Sequence, residues 1–215
     1  MARVNLERRA EIGLAKRNRT RATILEAARA CYASPTAAPV TVDALMAAAG
    51  LAKGTFYVHF ADVAALETEL GETLIEELDR RLQPARLAAD HPLTRVASGV
   101  TVLLRDLART PAQARLVARA AMAIPDVATA MQGHLREDLA EAQAAGLLAV
   151  GSVELAARIV TALNQQAARD LAERRIDDGA LPDIVRAILR AIGCAPREAE
   201  RHAGAAERIA RAHSR

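Results

Sequence analysis

The sequence predicts an all-α protein, with an N-terminal three-helix domain followed by a C-terminal helical bundle. Three observations carry this prediction. Alanine, the best helix former, supplies 52 of the 215 residues. No window alternates apolar and polar residues with period two for long, whereas apolar spacings of i, i+3, i+4 and i+7 recur along the chain. Pro111, Pro125, Gly146, Gly151 and Gly179 punctuate the second half into helix-sized pieces. No internal repeat is visible, so a solenoid is excluded.

The first helix is read over residues 20–33, where Ile24, Leu25, Ala28, Cys31 and Tyr32 share one face. Pro35 and Pro39 make residues 34–40 a loop. Thr41 then caps a short second helix, with Asp43 in its positive first turn, an apolar stripe of Val42, Leu45, Met46 and Ala49, and Gly50 closing it at the C′ position. A third short helix covers residues 52–59. Asp62 caps a fourth, expected to end near residue 82 because Pro84 follows.

Five more helices are expected near 92–109, 112–122, 126–145, 152–174 and 181–193. The last two have more apolar surface than one core needs. Val153, Ala156, Val160, Leu163, Ala167 and Leu171 form one stripe, while Leu155, Ile159 and Ala162 lie off it. Leu181, Ile184, Val185, Ile188, Leu189 and Ile192 likewise spread wider than a single stripe. This surplus predicts a homodimer with Leu163, Ile184 and Ile188 in its interface.

Composition narrows the function. Hydrophobic residues make up 52% and charged residues 26%, and the mean hydropathy is +0.05, values of a globular chain rather than of a disordered one or a membrane bundle. The longest stretch without a charge, 13 residues from Ala30 to Val42, is short and broken by two prolines, so no membrane partner is expected. The first twenty residues lack the apolar core of a secretory signal, which predicts a cytoplasmic location. Cys31 and Cys194 stand far apart without a metal-ligand spacing, so reduced, buried thiols and no metal site are expected. Charge is unevenly spread. Residues 1–60 hold nine Lys and Arg against four acids, net +5, whereas the remainder is net −2. All four aromatic residues, Tyr32, Phe56, Tyr57 and Phe60, fall in the same basic quarter. A basic patch of this kind fits a polyanion such as double-stranded DNA, and equally a solvated tail.

Residues 40–60 decide between those readings. They run V-T-V-D-A-L-M-A-A-A-G-L-A-K-G-T-F-Y-V-H-F: a capped helix, a tight Gly-Leu turn and a second short helix, the pattern of a helix-turn-helix. Gly54 costs about 1 kcal/mol relative to alanine inside a helix, and a bundle hairpin has no use for it; beside DNA it lets the backbone approach closely. Lys53, Thr55, Tyr57 and His59 supply donors on either side of it.

The chain resembles the TetR-type transcriptional regulators through I-L-E-A-A at 24–28, T-V-x-x-L at 41–45, A-G-L at 49–51 and K-G-T-F-Y-x-H-F at 53–60. The resemblance implies that Thr41, Tyr57 and His59 contact phosphates, that Lys53, Gly54 and Thr55 lie along the major groove, and that Phe56 and Phe60 pack inward. It also implies a palindromic operator and a small-molecule effector that releases it. Ala52 and Val63 replace the family's usual Ser and Lys, which removes two phosphate contacts, and Val58 can offer only apolar contact. The expected organisation is a basic arm over 1–17, a DNA-binding domain over 18–78, a ligand-sensing and dimerisation domain over 79–195 and a solvated tail over 196–215.

Within the sensing domain, Met122, Met131, His134 and Asn164 are the residues expected to line an effector site. Glu137 and Asp138, one turn beyond His134, alternatively make it a surface ion pair. Asn164 leads a polar triplet, Asn164-Gln165-Gln166, that is costly if buried without partners and could instead bond across a dimer seam. No catalytic motif is present, so no enzyme activity and no cofactor are expected. The alternative function is a helical ligand-binding or protein-interaction module without a specific operator.

Overall fold

A computed structural model describes residues 2–35, 39–123 and 130–213, with side chains described for 8, 11–35, 39–119 and 133–213. Among these the chain is helical without a strand. The helices are α1 (Ala2–Ala33), α2 (Val42–Ala49), α3 (Lys53–His59), α4 (Val63–Leu87), α5 (Pro92–Arg109), α6 (Pro111–Ala123), α7 (Ala130–Ala144), α8 (Val153–Ala172), α9 (Leu181–Ala191) and α10 (Pro196–His213), with a 3-10 turn at Asp178–Ala180 before α9. Two compact units divide within α4, Met1–Leu70 and Gly71–Arg215.

The first unit holds α1, α2, α3 and the start of α4 around Ile24, Ala28, Leu45, Met46, Phe56, Phe60, Leu66 and Leu70, all buried. Phe56 is wholly enclosed, and burial of such a side chain stabilises by about 1.5–3 kcal/mol. The caps read from sequence are present. Ala44 N–H donates to Thr41 Oγ1 at 3.2 Å, and Ala65 N–H to Asp62 Oδ1 at 2.8 Å. Gly50, at φ 66°, turns the chain between α2 and α3 in the left-handed region that glycine adopts without strain. The first helix, expected to start at residue 20, instead takes in residues 2–19, the basic arm among them, and so gains five turns, since the Ala-, Arg-, Glu- and Leu-rich segment contains no helix breaker beyond Gly13.

The second unit is built on α5, whose residues Leu93, Val96, Ala97, Val100, Leu103, Leu104 and Leu107 are buried and which packs against α6, α7, α8, α9 and α10. Three expectations are corrected. Pro84 does not end α4, which continues to Leu87: Leu82 and Ala85 are buried and Arg86 is tied to Asp138, and these contacts outweigh the lost backbone hydrogen bond. Residues 196–213, expected as a solvated helix or a disordered end, form the packed helix α10, with Ala199, His202, Ala203, Ala206 and Ala210 buried on α5 and α9. Helix α9 ends two residues early, at Ala191, because Gly193 has φ 99° and a Cβ there would stand 2.3 Å from the Ala149 backbone nitrogen.

Cys194 is buried, which raises its thiol pKa, whereas Cys31 is only half-buried; both are free.

Candidate nucleic-acid interface and cavity

In the first unit the residues singled out from sequence gather at the start of α2 and along α3. Thr41, Lys53, Gly54 and Tyr57 are exposed, and Thr55 and His59 are half-buried. Val58, 62% exposed, and Tyr57, 58% exposed, leave apolar surface in water on a helix whose inner face is already filled by Phe56 and Phe60. A Cβ on Gly54 would meet nothing within 4 Å, so nothing inside the chain requires glycine there. Ala52 stands at the N-cap of α3 and makes no side-chain cap bond.

Two features of this face were not legible in the sequence. Lys53 Nζ lies 3.0 Å from the Asp43 carboxylate, which raises the lysine pKa and keeps the ammonium engaged in the absence of DNA. Both side chains are largely exposed, so the pair is weak and exchangeable.

The second feature is the anchoring of α3 by α1. Arg21 donates to the Glu69 carboxylate through Nε and Nη2 and to the His59 carbonyl through Nη1, and lies over the Phe60 ring, 4.2 Å from its centroid; Arg17 donates to the Val58 carbonyl at 3.4 Å. These cations cap the negative C-terminal end of α3, so two charges assigned by sequence to a general basic patch hold the recognition helix instead. Partial burial, with Arg17 and Arg21 nearby, lowers the His59 pKa and favours the neutral imidazole; its Nδ1 is buried without a partner.

The second unit holds a half-open cavity of about 160 Å³ lined by α4, α5, α6, α7 and α8. Its walls are aliphatic, with Leu74, Leu78, Leu82, Val96, Val100, Leu103, Val117, Leu135 and Val160 among them. Leu74, Ile75 and Leu78, counted with the DNA-binding domain on sequence grounds, belong to this wall because α4 continues into it.

His134 and Asn164 both line the cavity; the side chains of Met122 and Met131 lie outside the described residues. His134 Nδ1 is 3.2 Å from Asp79 Oδ1 and its ring also meets the Gln83 amide. The expected surface ion pair is therefore corrected. Asp138 is 2% exposed and turns inward to two cations, with Arg86 Nε at 2.5 Å and Arg95 Nε at 2.6 Å. Burial alone would lower the Arg95 pKa, and the Asp138 and Glu141 carboxylates raise it. Asn164 Oδ1 is buried without a partner, an omission that costs about 1–3 kcal/mol in an empty site.

The dimer residues divide. Leu163 is 37% exposed, Leu155 48%, and Ile184 half-buried, whereas Ile188 at 1% is spent inside its own subunit and has no face to offer a second copy.

Residues 24–69, spanning most of the first unit, match the family model of bacterial regulatory proteins of the tetR family. Solved structures share the fold over most of the chain. RolR in complex with resorcinol is similar with a TM-score of 0.63 at 22% identity, over 88% of this chain and 95% of that one. FadR from Bacillus halodurans gives a TM-score of 0.62 at 17% identity, over 82% and 97%. A gamma-butyrolactone receptor, an ArpA-like protein, gives 0.57 at 18% identity, over 92% and 99%. No curated protein matches the chain in sequence. Among the described residues no helix is long and apolar enough to cross a membrane, and no cluster of His, Cys, Asp or Glu could hold a metal ion.

Proposed function

We propose that the protein is a homodimeric DNA-binding repressor, released from a palindromic operator by a small molecule, and not an enzyme. One observation carries the reading: α3 of the tetR-type domain is filled on its inner face and presents Lys53, Gly54, Tyr57 and Val58 outward, with a glycine that no internal contact requires. That surface suits the major groove, with Thr41, Lys53, Tyr57 and His59 on phosphates and Gly54 and Thr55 beside base edges.

The aliphatic cavity of the second unit is the effector site in this reading. Its support is the unpartnered Asn164 oxygen and the precedent of neighbours solved with resorcinol or stearoyl-CoA bound. Leu155 and Leu163 on α8 and Ile184 on α9 face a second copy, which would space two recognition helices by roughly 34–36 Å along DNA. Acting on DNA, the protein works in the cytoplasm.

Coupling runs through α4, which carries Glu69, the partner of Arg21, and further along it the cavity residues Leu74, Leu78 and Asp79. An effector favouring one state of this helix changes DNA affinity by its differential affinity for the two states, typically 5- to 150-fold. Fluorescence anisotropy with labelled DNA from upstream of the protein's own gene tests the reading. Submicromolar, salt-dependent binding that exceeds binding to scrambled DNA supports it; equal affinity for both sequences overturns it.

A second reading, a helical ligand-binding module without a specific operator, is favoured by Ala52, Val63 and the Lys53–Asp43 pair, each of which subtracts from the phosphate contacts. It predicts the equal affinity.

A further inference from the structure

The cavity of the second unit also restricts what can fill it. This inference rests on the effector-site reading above and deepens it. Size comes first. A closed apolar cavity of about 150 Å³ takes one benzene, and this one measures about 160 Å³. Roughly six to ten non-hydrogen atoms fill that volume, and a longer molecule would have to extend through the open side of the cavity.

Charge comes second. The lining brings two guanidinium groups, Arg86 and Arg95, and two carboxylates, Asp79 and Asp138. Both guanidinium groups are committed to Asp138, Arg95 also to Glu141, and Asp79 to the His134 ring. Among the described residues no guanidinium is left over for a ligand, and Asp79 is engaged by the His134 ring. An anionic guest would have to be buried without a counter-charge or break one of the Asp138 pairs, which is strongly destabilising, and a cationic guest would have to take Asp79 from His134.

Polarity comes third. Asn164 Oδ1 is buried without a hydrogen-bond partner at the cavity wall. A hydroxyl group both donates and accepts, so it satisfies either end of the Asn164 amide. Apart from Thr161 and Gln165 the remaining wall is aliphatic, and it carries no Phe, Tyr or Trp ring for stacking among the described residues.

We infer that the site takes a small uncharged molecule, benzene-sized to slightly larger, with an apolar body and at least one hydroxyl group that bonds Asn164. Thr161 and Gln165 in the same wall offer a second hydrogen-bonding position, so a compact diol is the favoured form.

The test is calorimetric titration of the full-length protein without DNA, using resorcinol and cyclohexane-1,2-diol as neutral probes, benzoate and cyclohexylammonium as charged ones, and benzene as the apolar one. The expected result is binding of at least one diol, with the charged probes weaker by about tenfold or more. Asn164→Leu should weaken the diol by about tenfold and leave benzene within about twofold, which shows that the cavity has kept its shape. If Asn164→Leu fails to fold, Asn164→Asp serves in its place, and the diol should then weaken relative to cyclohexylammonium.

Benzoate or cyclohexylammonium binding as tightly as the diols overturns the inference, as does no diol binding at millimolar concentration, or an Asn164→Leu variant that holds the diol unchanged. Repeating the DNA anisotropy with the bound diol separates the two proposals. A diol that binds through Asn164 yet leaves DNA affinity unaltered supports the assignment of the site and refutes its role as an effector switch.

Discussion

Lys53 has two partners to choose between. In the free protein its ammonium rests on Asp43; on DNA it would have to move to a phosphate, and Asp43, at the first turn of α2, would remain close to the polyanion. Lys53→Ala should therefore weaken binding to all sequences and flatten the slope of log K against log salt by about one unit. Asp43→Asn should do the opposite, tightening DNA binding several-fold, because it frees Lys53 and removes a repelling charge. Anisotropy titrations across salt concentrations measure both, and an Asp43→Asn protein that binds DNA more weakly would show that the pair orients Lys53 rather than restraining it. Lys53 and Gly54 were legible from the sequence because their signals are local: a residue type at a position in a short helix. Asp43 was read correctly as a helix-terminus acid, but its second role needs the turn at Gly50 to bring it beside Lys53.

The helices make their own predictions. Pro84 sits inside α4, where it removes one backbone hydrogen bond, and its side chain is exposed. Pro84→Ala should raise stability by about 1–3 kcal/mol, seen as a higher urea midpoint, since the helix is already formed through that turn by burial of Leu82 and Ala85. On α8 and α9 the exposed and buried apolar residues part company. Leu163→Arg should give a folded monomer by light scattering with an unchanged circular-dichroism spectrum. Ile188→Arg should instead unfold the second unit, because it places a charge in the core. Periodicity located both helices, but it cannot say which of two apolar stripes faces the chain's own core. That depended on α5 and α10, which cover α9 from residues far away in the sequence.

For the molecule as a whole, the docking of α10 on α5 sets a pH dependence. His202 is buried, shares a 2.8 Å hydrogen bond with Thr94 and lies over His91, ring centroids 4.2 Å apart. Burial first, and then His91 and Arg201, push its pKa down to about 4, with Glu198 opposing weakly. Burial likewise lowers the His91 pKa. Above the ordinary histidine value of 6.5 neither the folded nor the unfolded chain carries the His202 proton, and the group adds no pH dependence. As pH falls below it, the unfolded chain takes up a proton that the fold refuses, so stability declines by about 1.4 kcal/mol per pH unit until the folded value is reached. Urea denaturation at pH 7, 6 and 5 should show this decline, and His202→Gln, which can keep the bond to Thr94, should flatten it. An equal decline in both proteins would place the acid sensitivity elsewhere.

The helix-turn-helix was fully present in the amino-acid sequence, since a threonine cap, a left-handed glycine and an i, i+4 apolar stripe each act within one or two turns of helix. So was the helical class of the remainder. The partners that finish each site were not. Arg21 meets Glu69 across 48 residues, Arg86 meets Asp138 across 52, and His202 meets Thr94 across 108. The same holds for the residues around the cavity, drawn from five helices, and for the choice of Leu163 over Ile188 as exposed surface. Hydrogen-bond and packing partners over such separations are selected by how whole helices pack, and helical periodicity carries no information about which helix arrives on a given face.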